Sequence, residues 1–260
     1  MSTPIQLQYS DEGGGMPIVL LHGFPLSSAI WHEQQRALTG LYRVITPDLR
    51  GHGKSIAPAG IYTMDVLAGD VLALLDRLEV ETCVLMGHSM GGYVALALYQ
   101  MQPDRFTALG LISTQANADT DEARQGRAET VERVLLSGQG SRTLADLMLP
   151  RLFSTAAEPD AELYEEVQKI IMGTSVTAIV GSLKGMAARP DSMAAIAEIQ
   201  KPVLVLNGDH DVTIPPERSE AMSAVIPLVT HIVIEDAGHL PMMEQPGATT
   251  EAIKTFLGTL

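Results

Sequence analysis

Cysteine, tryptophan and basic side chains are all scarce in this chain, and each scarcity narrows what it can be. Its single thiol, Cys83, cannot close an internal disulfide. Lying in the apolar run Thr82-Cys83-Val84-Leu85-Met86, it reads as a buried structural group. Lysine and arginine together number 17 against 31 acidic residues, a formal charge of -14. Such a balance repels phosphate backbones and anionic membrane surfaces, so neither nucleic acid nor a membrane is an expected partner. A well-solvated surface accounts for the acidity more simply than recognition of a cationic substrate does.

Long hydrophobic runs are missing too: no stretch approaches the roughly 18 apolar residues of a membrane span. The N-terminal Met1-Ser2-Thr3-Pro4 lacks a basic region followed by an apolar one, so the expected location is the cytoplasm. Metal-ligand clusters, phosphate-cradling glycine loops and dinucleotide fingerprints are absent, and no cofactor is expected. Oligomeric state is not legible.

What is present is an ordinary globular composition, 46% hydrophobic and 18% charged over 260 residues, enough for one large core. Short β-rich apolar runs alternate with segments of helical period, the pattern of βαβ units around a mostly parallel sheet flanked by helices. Strands are expected at residues 18–21, 42–46, 83–86, 108–113, 203–206 and 231–234, with residues 5–9 as an antiparallel edge. Helices are expected at residues 64–78 and 249–257, each with an apolar face turned inward, and directly after Ser89.

Residues 117–191 break this alternation. They offer amphipathic helices at 120–136, 144–149, 161–172 and 176–188, with Gly138, Gly140, Pro159 and Gly173 as breaks. This interval reads as a helical cap inserted before the last two strands, between a first core segment, 1–116, and a second, 192–260.

Chemistry concentrates at Gly87-His88-Ser89-Met90-Gly91, placed between the strand at 83–86 and a helical pattern starting at Tyr93. The pentapeptide alone could be a glycine-rich turn. A strand before it and a helix after it give the context of a nucleophile elbow, in which a strained serine is held above the sheet edge. A serine hydroxyl needs a base, and the base needs a partner that fixes its tautomer. Loops after the last two strands supply Asn207-Gly208-Asp209-His210-Asp211 and Asp236-Ala237-Gly238-His239, both at carboxyl ends of strands, where open α/β sheets build their sites.

The order serine, acid, histidine selects His239 as base and Asp211 as acid, in preference to Asp209 and Asp236. His22, His32, His52, His88, His210 and His231 read as structural or surface residues. Backbone N–H groups of Phe24 and Met90 are the candidate oxyanion donors. Pocket walls are expected from Phe24, Trp31, Met90, Leu240 and the cap residues Leu147, Leu152 and Met186. Because a histidine base must be neutral, activity is expected to rise as pH passes about 6 to 7.

The strings His22-Gly23-Phe24-Pro25, Asp48-Leu49-Arg50-Gly51-His52-Gly53-Lys54-Ser55, the serine elbow, Gly208-Asp209-His210-Asp211 with Pro215, and Gly238-His239-Leu240-Pro241 resemble the α/β-hydrolase superfamily. Within it, the likeness is to small capped serine esterases, enol-lactonases and cofactor-free perhydrolases. It covers nearly the whole chain. It implies the α/β-hydrolase fold, a structural role for the loop from Asp48 to Ser55, and cleavage of a small-molecule ester through an acyl-enzyme. Serine at position 89, where haloalkane dehalogenases and epoxide hydrolases carry aspartate, argues against both of those activities.

Within catalysis the alternatives are a lactonase or carbon-carbon hydrolase, whose carboxylated substrates would want a cationic clamp, and a perhydrolase with the same three residues. Arg124, Arg127, Arg133, Arg142, Arg151 and Arg189 lie in or beside the cap, though each reads more simply as a solvated helix charge. Outside catalysis the alternative is a ligand sensor that signals by cap closure.

Overall fold

The computed structural model describes residues 3–156 and 160–260; Met1, Ser2 and the expected break at Pro159 lie outside them. Seven strands form one sheet: β1 (Tyr9–Glu12), β2 (Pro17–Leu21), β3 (Arg43–Pro47), β4 (Cys83–His88), β5 (Phe106–Ile112), β6 (Val203–Gly208) and β7 (Val229–Ile234). Their order is β1-β3-β2-β4-β5-β6-β7, with β1 antiparallel to β3 and every other pair parallel. Strands β2, β4, β5 and β6 are buried almost throughout, which is why they read as continuous apolar runs rather than alternating ones.

Helix α1 (His32–Leu38) packs on β3, α3 (Met90–Met101) packs on β2, β4 and β5, and α2 (Met64–Arg77) packs against α3. Thr63 caps α2 by accepting the Val66 N–H at 3.2 Å, and Leu67, Val71, Leu74 and Leu75 then fall on one buried face. The same helix carries buried Asp70, which takes two hydrogen bonds of 2.7 Å from Arg50. Between β5 and β6 come α4 (Asp121–Leu136), α5 (Gly140–Leu152), α6 (Ala161–Met172) and α7 (Val176–Ala187), followed by short α8 (Met193–Ile196). Thr120, Asp160 and Ser175 cap α4, α6 and α7. Helix α9 (Pro216–Ser223) joins the last two strands, and α10 (Pro241–Glu244) and α11 (Pro246–Leu257) close the chain. Among the described residues, no single helix is long and apolar enough to cross a membrane.

Three expectations need correcting. The edge strand begins at Tyr9 rather than Ile5, because the Ile5 and Gln8 amides donate to the Asp70 carboxylate and the Ser55 hydroxyl instead of to a neighbouring strand. Gly140 opens α5 instead of breaking the chain: a Cβ there would strike Val176 and Val134, so close packing explains the glycine. Strands β4 and β6 each run two residues past their apolar limits. Gly87 and His88 still pair with Leu111 and Ile112, and Asn207 and Gly208 with Val233 and Ile234. These polar extensions deliver the chain to the site.

Candidate active site

Ser89 follows β4 directly, with φ 51° and ψ -114°, a left-handed conformation that a side chain rarely adopts. Its neighbours hold it there. The Ser89 N–H donates to Ile112 O at 2.9 Å, and its carbonyl accepts from Thr114 Oγ1 at 2.8 Å. A Cβ on Gly91 would meet the carbonyls of Leu21 and His22, and one on Gly87 would meet Gly91 itself. The tight turn therefore requires both glycines.

His239 Nε2 lies 3.0 Å from Ser89 Oγ, and its Nδ1 lies 2.8 Å from Asp211 Oδ2. With Asp211 accepting at Nδ1, the imidazole carries its proton there and offers Nε2 as acceptor to the serine hydroxyl. The other Asp211 oxygen accepts the Thr213 and Ile214 N–H groups at 2.8 and 2.9 Å. Asp211 and His239 are each only 2% exposed. A hydrogen-bond chain of this kind can move a proton off the serine while the carboxylate steadies the charged imidazole. Asp209, by contrast, accepts the Ala237 N–H at 3.2 Å and stabilises the loop, and Asp236 lies exposed at a turn with φ 55°.

The N–H groups of Phe24 and Met90 make no hydrogen bond to any described residue. A Cβ on Gly23 would touch the Ser89 side chain, so the loop that carries Phe24 lies against Ser89, and Met90 opens α3. Unpaired amides beside a hydroxyl are suited to a developing oxyanion.

Three of the other histidines have partners of their own. His22 Nε2 accepts from the Leu49 N–H at 2.9 Å, His52 Nδ1 donates to Arg50 O at 2.9 Å, and His88 Nε2 donates to His239 O at 2.8 Å. Burial lowers the pKa of all three, that of His52 to about 3. They stay neutral and structural. The Asp48–Ser55 loop likewise holds itself: Asp48 accepts from the Ser28 and Lys54 amides, both at 2.8 Å.

Ser89 and His239 open onto a cavity of about 640 Å³ roofed by α4, α5 and α7. Phe24, Leu147 and Met186 line it. Trp31, Leu152, Leu240 and the Met90 side chain do not, and each is wholly buried. The reasons are local. Trp31 ends a short 3-10 helix that faces the core. The Leu240 side chain turns into the core while its amide donates to Glu244, and Leu152 contributes its carbonyl to the His239 N–H at 2.9 Å. A smaller cavity of about 250 Å³ lies behind Tyr93 and Gln115 and includes neither Ser89 nor His239.

Sequence reading missed Glu244. Its Oε1 accepts the amides on either side of His239, Gly238 at 2.9 Å and Leu240 at 3.0 Å, and its Oε2 accepts the Ser154 N–H at 2.6 Å. One carboxylate thus ties the histidine loop to the segment that follows α5. Burial raises its pKa, against the pull of the three amides and of His239. The available signal was a lone acid ending the apolar run Leu240-Pro241-Met242-Met243.

With fold and geometry in place, the comparisons agree on a class. The model of the α/β-hydrolase fold matches residues 16–246, and the chain belongs to that family. A thermophilic esterase from Thermogutta terrifontis superposes with a TM-score of 0.94 at 40% identity, covering 97% of this chain and 93% of that one. The chain is 30% identical to 3-oxoadipate enol-lactonase 2 of Acinetobacter baylyi, over 88% of its own length and 84% of the relative's. It also matches, at 29% identity over 94% of its length, the acetyltransferase component of an acetoin cleaving system from Pseudomonas putida. It spans only 64% of that relative.

Proposed function

We propose that the protein is a serine hydrolase that cleaves carboxylic esters of small to medium size in two acyl-transfer steps. The observation that carries this reading is the unbroken contact from Ser89 Oγ through His239 to Asp211 on the floor of an open cavity. His239 takes the hydroxyl proton as Ser89 attacks the carbonyl carbon. The Phe24 and Met90 amides receive the oxyanion, and the alcohol leaves with the proton from His239. Water then repeats the route against the acyl-enzyme: His239 accepts its proton, the acyl–oxygen bond to Ser89 breaks as His239 returns that proton to Ser89 Oγ, and the acid departs.

Residues 117–191 act in this account as a cap whose helices decide which substrate fits. A lactone could enter the same mechanism, its ring oxygen serving as the leaving group. The likeness to the Acinetobacter enol-lactonase supports keeping that second reading. A panel of p-nitrophenyl esters, small lactones and peracid formation, run on wild type and Ser89→Ala, separates the possibilities. Ester turnover that vanishes in the variant is the expected result; turnover retained there would remove the assignment.

A further inference from the structure

Around Ser89 this acidic protein turns cationic. The chain carries a net charge of -14, yet the cavity is lined by Arg127, Arg133, Arg151 and Arg218. Three acids also line it, but they do not answer the arginines equally. Asp119 is already committed: it is 5% exposed, and its two oxygens accept from Arg127 Nε and Arg189 Nη1, both at 2.6 Å. Burial acts to raise its pKa, but the two guanidiniums prevail and hold it below the usual carboxylate value. Two positive charges on one negative leave an excess. The other two acids, Glu122 and Glu129, stand on exposed turns of α4 and face three equally exposed arginines, Arg133, Arg151 and Arg218, so solvent screens both signs alike and the excess stays positive.

The arginines of the cap also divide by direction. Arg124 and Arg142 pair with their own helix neighbours Asp121 and Asp146 and do not line the cavity. Arg127 does line it, and its plane is fixed by Asp119 while its Nη1 meets only the Met186 sulfur at 3.6 Å. A thioether is a weak acceptor. This leaves a pre-oriented guanidinium in the catalytic cavity with a donor that lacks an oxygen partner. Among the described residues, Arg133 and Arg151 make no ion pair, and the only side-chain partner of Arg218 is Asn117 Oδ1 at 3.4 Å.

We propose that the cavity selects anionic substrates, esters or lactones that carry a carboxylate remote from the bond cleaved. Arg127 receives that carboxylate, and Arg133, Arg151 and Arg218 draw it to the mouth. A planar guanidinium matches a carboxylate in charge and geometry, and a cationic opening in an acidic surface focuses the field on an approaching anion. The inference rests on Ser89 acting as the nucleophile.

Two esters with one leaving group test it: p-nitrophenyl heptanoate and the mono-p-nitrophenyl ester of pimelic acid, which differ only in a terminal carboxylate. At low ionic strength, kcat/KM should favour the carboxylated ester by about tenfold or more, and added salt should shrink that advantage. The ratio should fall about tenfold in Arg127→Gln. In Arg133→Gln combined with Arg218→Gln, two exposed side chains whose loss does not threaten folding, it should fall severalfold. Arg142→Gln should leave the ratio unchanged.

Equal or better use of the neutral ester by wild type, or a ratio that neither the Arg127 variant nor the rim variant moves, overturns the proposal. Cleavage of both esters that depends on Ser89 but ignores charge removes this inference alone. Failure to cleave either, or cleavage that survives Ser89→Ala, removes the hydrolase reading and this inference with it.

Discussion

Ser89, Asp211 and His239 are held from below by backbone groups, whereas Arg127, Leu147 and Met186 face them from helices whose side chains depend on how each helix is rotated. On the floor, the carbonyl of Ile112, the amides of Thr213 and Ile214 and the carbonyl of Leu152 fix the three residues within hydrogen-bond distance of one another. On the roof, α4 is mostly exposed, with Val134 its only fully buried residue. A floor defined by backbone geometry preorganises one reaction. A roof defined by side chains can be altered residue by residue without disturbing the chemistry below, which separates how a bond is broken from which bond is chosen.

If that division is right, floor substitutions should cost far more than roof ones. Ser89→Ala should lower kcat for an activated short-chain ester by about four to six orders of magnitude, with an unchanged circular dichroism spectrum. Asp211→Asn should cost about 10⁴-fold by offering His239 the wrong hydrogen-bond partner. Activity within tenfold of wild type would mean that another group orients the imidazole.

Glu244→Gln tests the boundary between the regions. It replaces an acceptor of three amides by a group that repels some of them, so kcat should fall about 10- to 100-fold with little change in KM. A rise in KM alone would place Glu244 with the roof. Leu147→Ala, on the roof, should shift the preference between short and long acyl chains by only about 2- to 10-fold. A collapse of kcat for every ester would break the comparison.

The smallest effect concerns pH and stability. The folded-state pKa of His52 lies at about 3, below its unfolded value of about 6.5, so the unfolded chain binds the extra proton. The stability that depends on neutral His52 is present above about 6.5 and is lost as pH falls toward 3. His22 and His88 act in the same direction. Melting temperature should therefore decline through this window, and His52→Gln should flatten the decline. An equally steep fall in the variant would assign the loss to carboxylates.

The floor was legible in sequence for the same reason that it is rigid. A strained serine needs Gly87 and Gly91, and buried strands need apolar runs, so backbone demands leave marks in residue identity. The order of Ser89, Asp211 and His239 along the chain singled them out, and the structure brings the three within hydrogen-bond distance. The roof left only its helical period. Amphipathic spacing revealed four helices between Ile112 and Val203, but not that Leu147 faces the cavity while Leu152 packs away from it. Trp31 and Leu240 were misplaced for a related reason. Closeness in sequence to the Phe24 loop or to His239 says nothing about which way a side chain turns, and both turn inward. Glu244, Asp119 and Arg218 each make a contact that joins distant segments, to Ser154, Arg189 and Asn117, and no local pattern announces it.

The most direct test of the central claim is to trap the intermediate. The enzyme is mixed with a p-nitrophenyl ester, quenched in acid within the first turnover, digested and mapped by mass spectrometry. A p-nitrophenol burst stoichiometric with enzyme, together with one acyl group on the peptide containing Ser89, is the predicted result. Steady turnover with an acyl group on a different residue, or the same burst from Ser89→Ala, would contradict it.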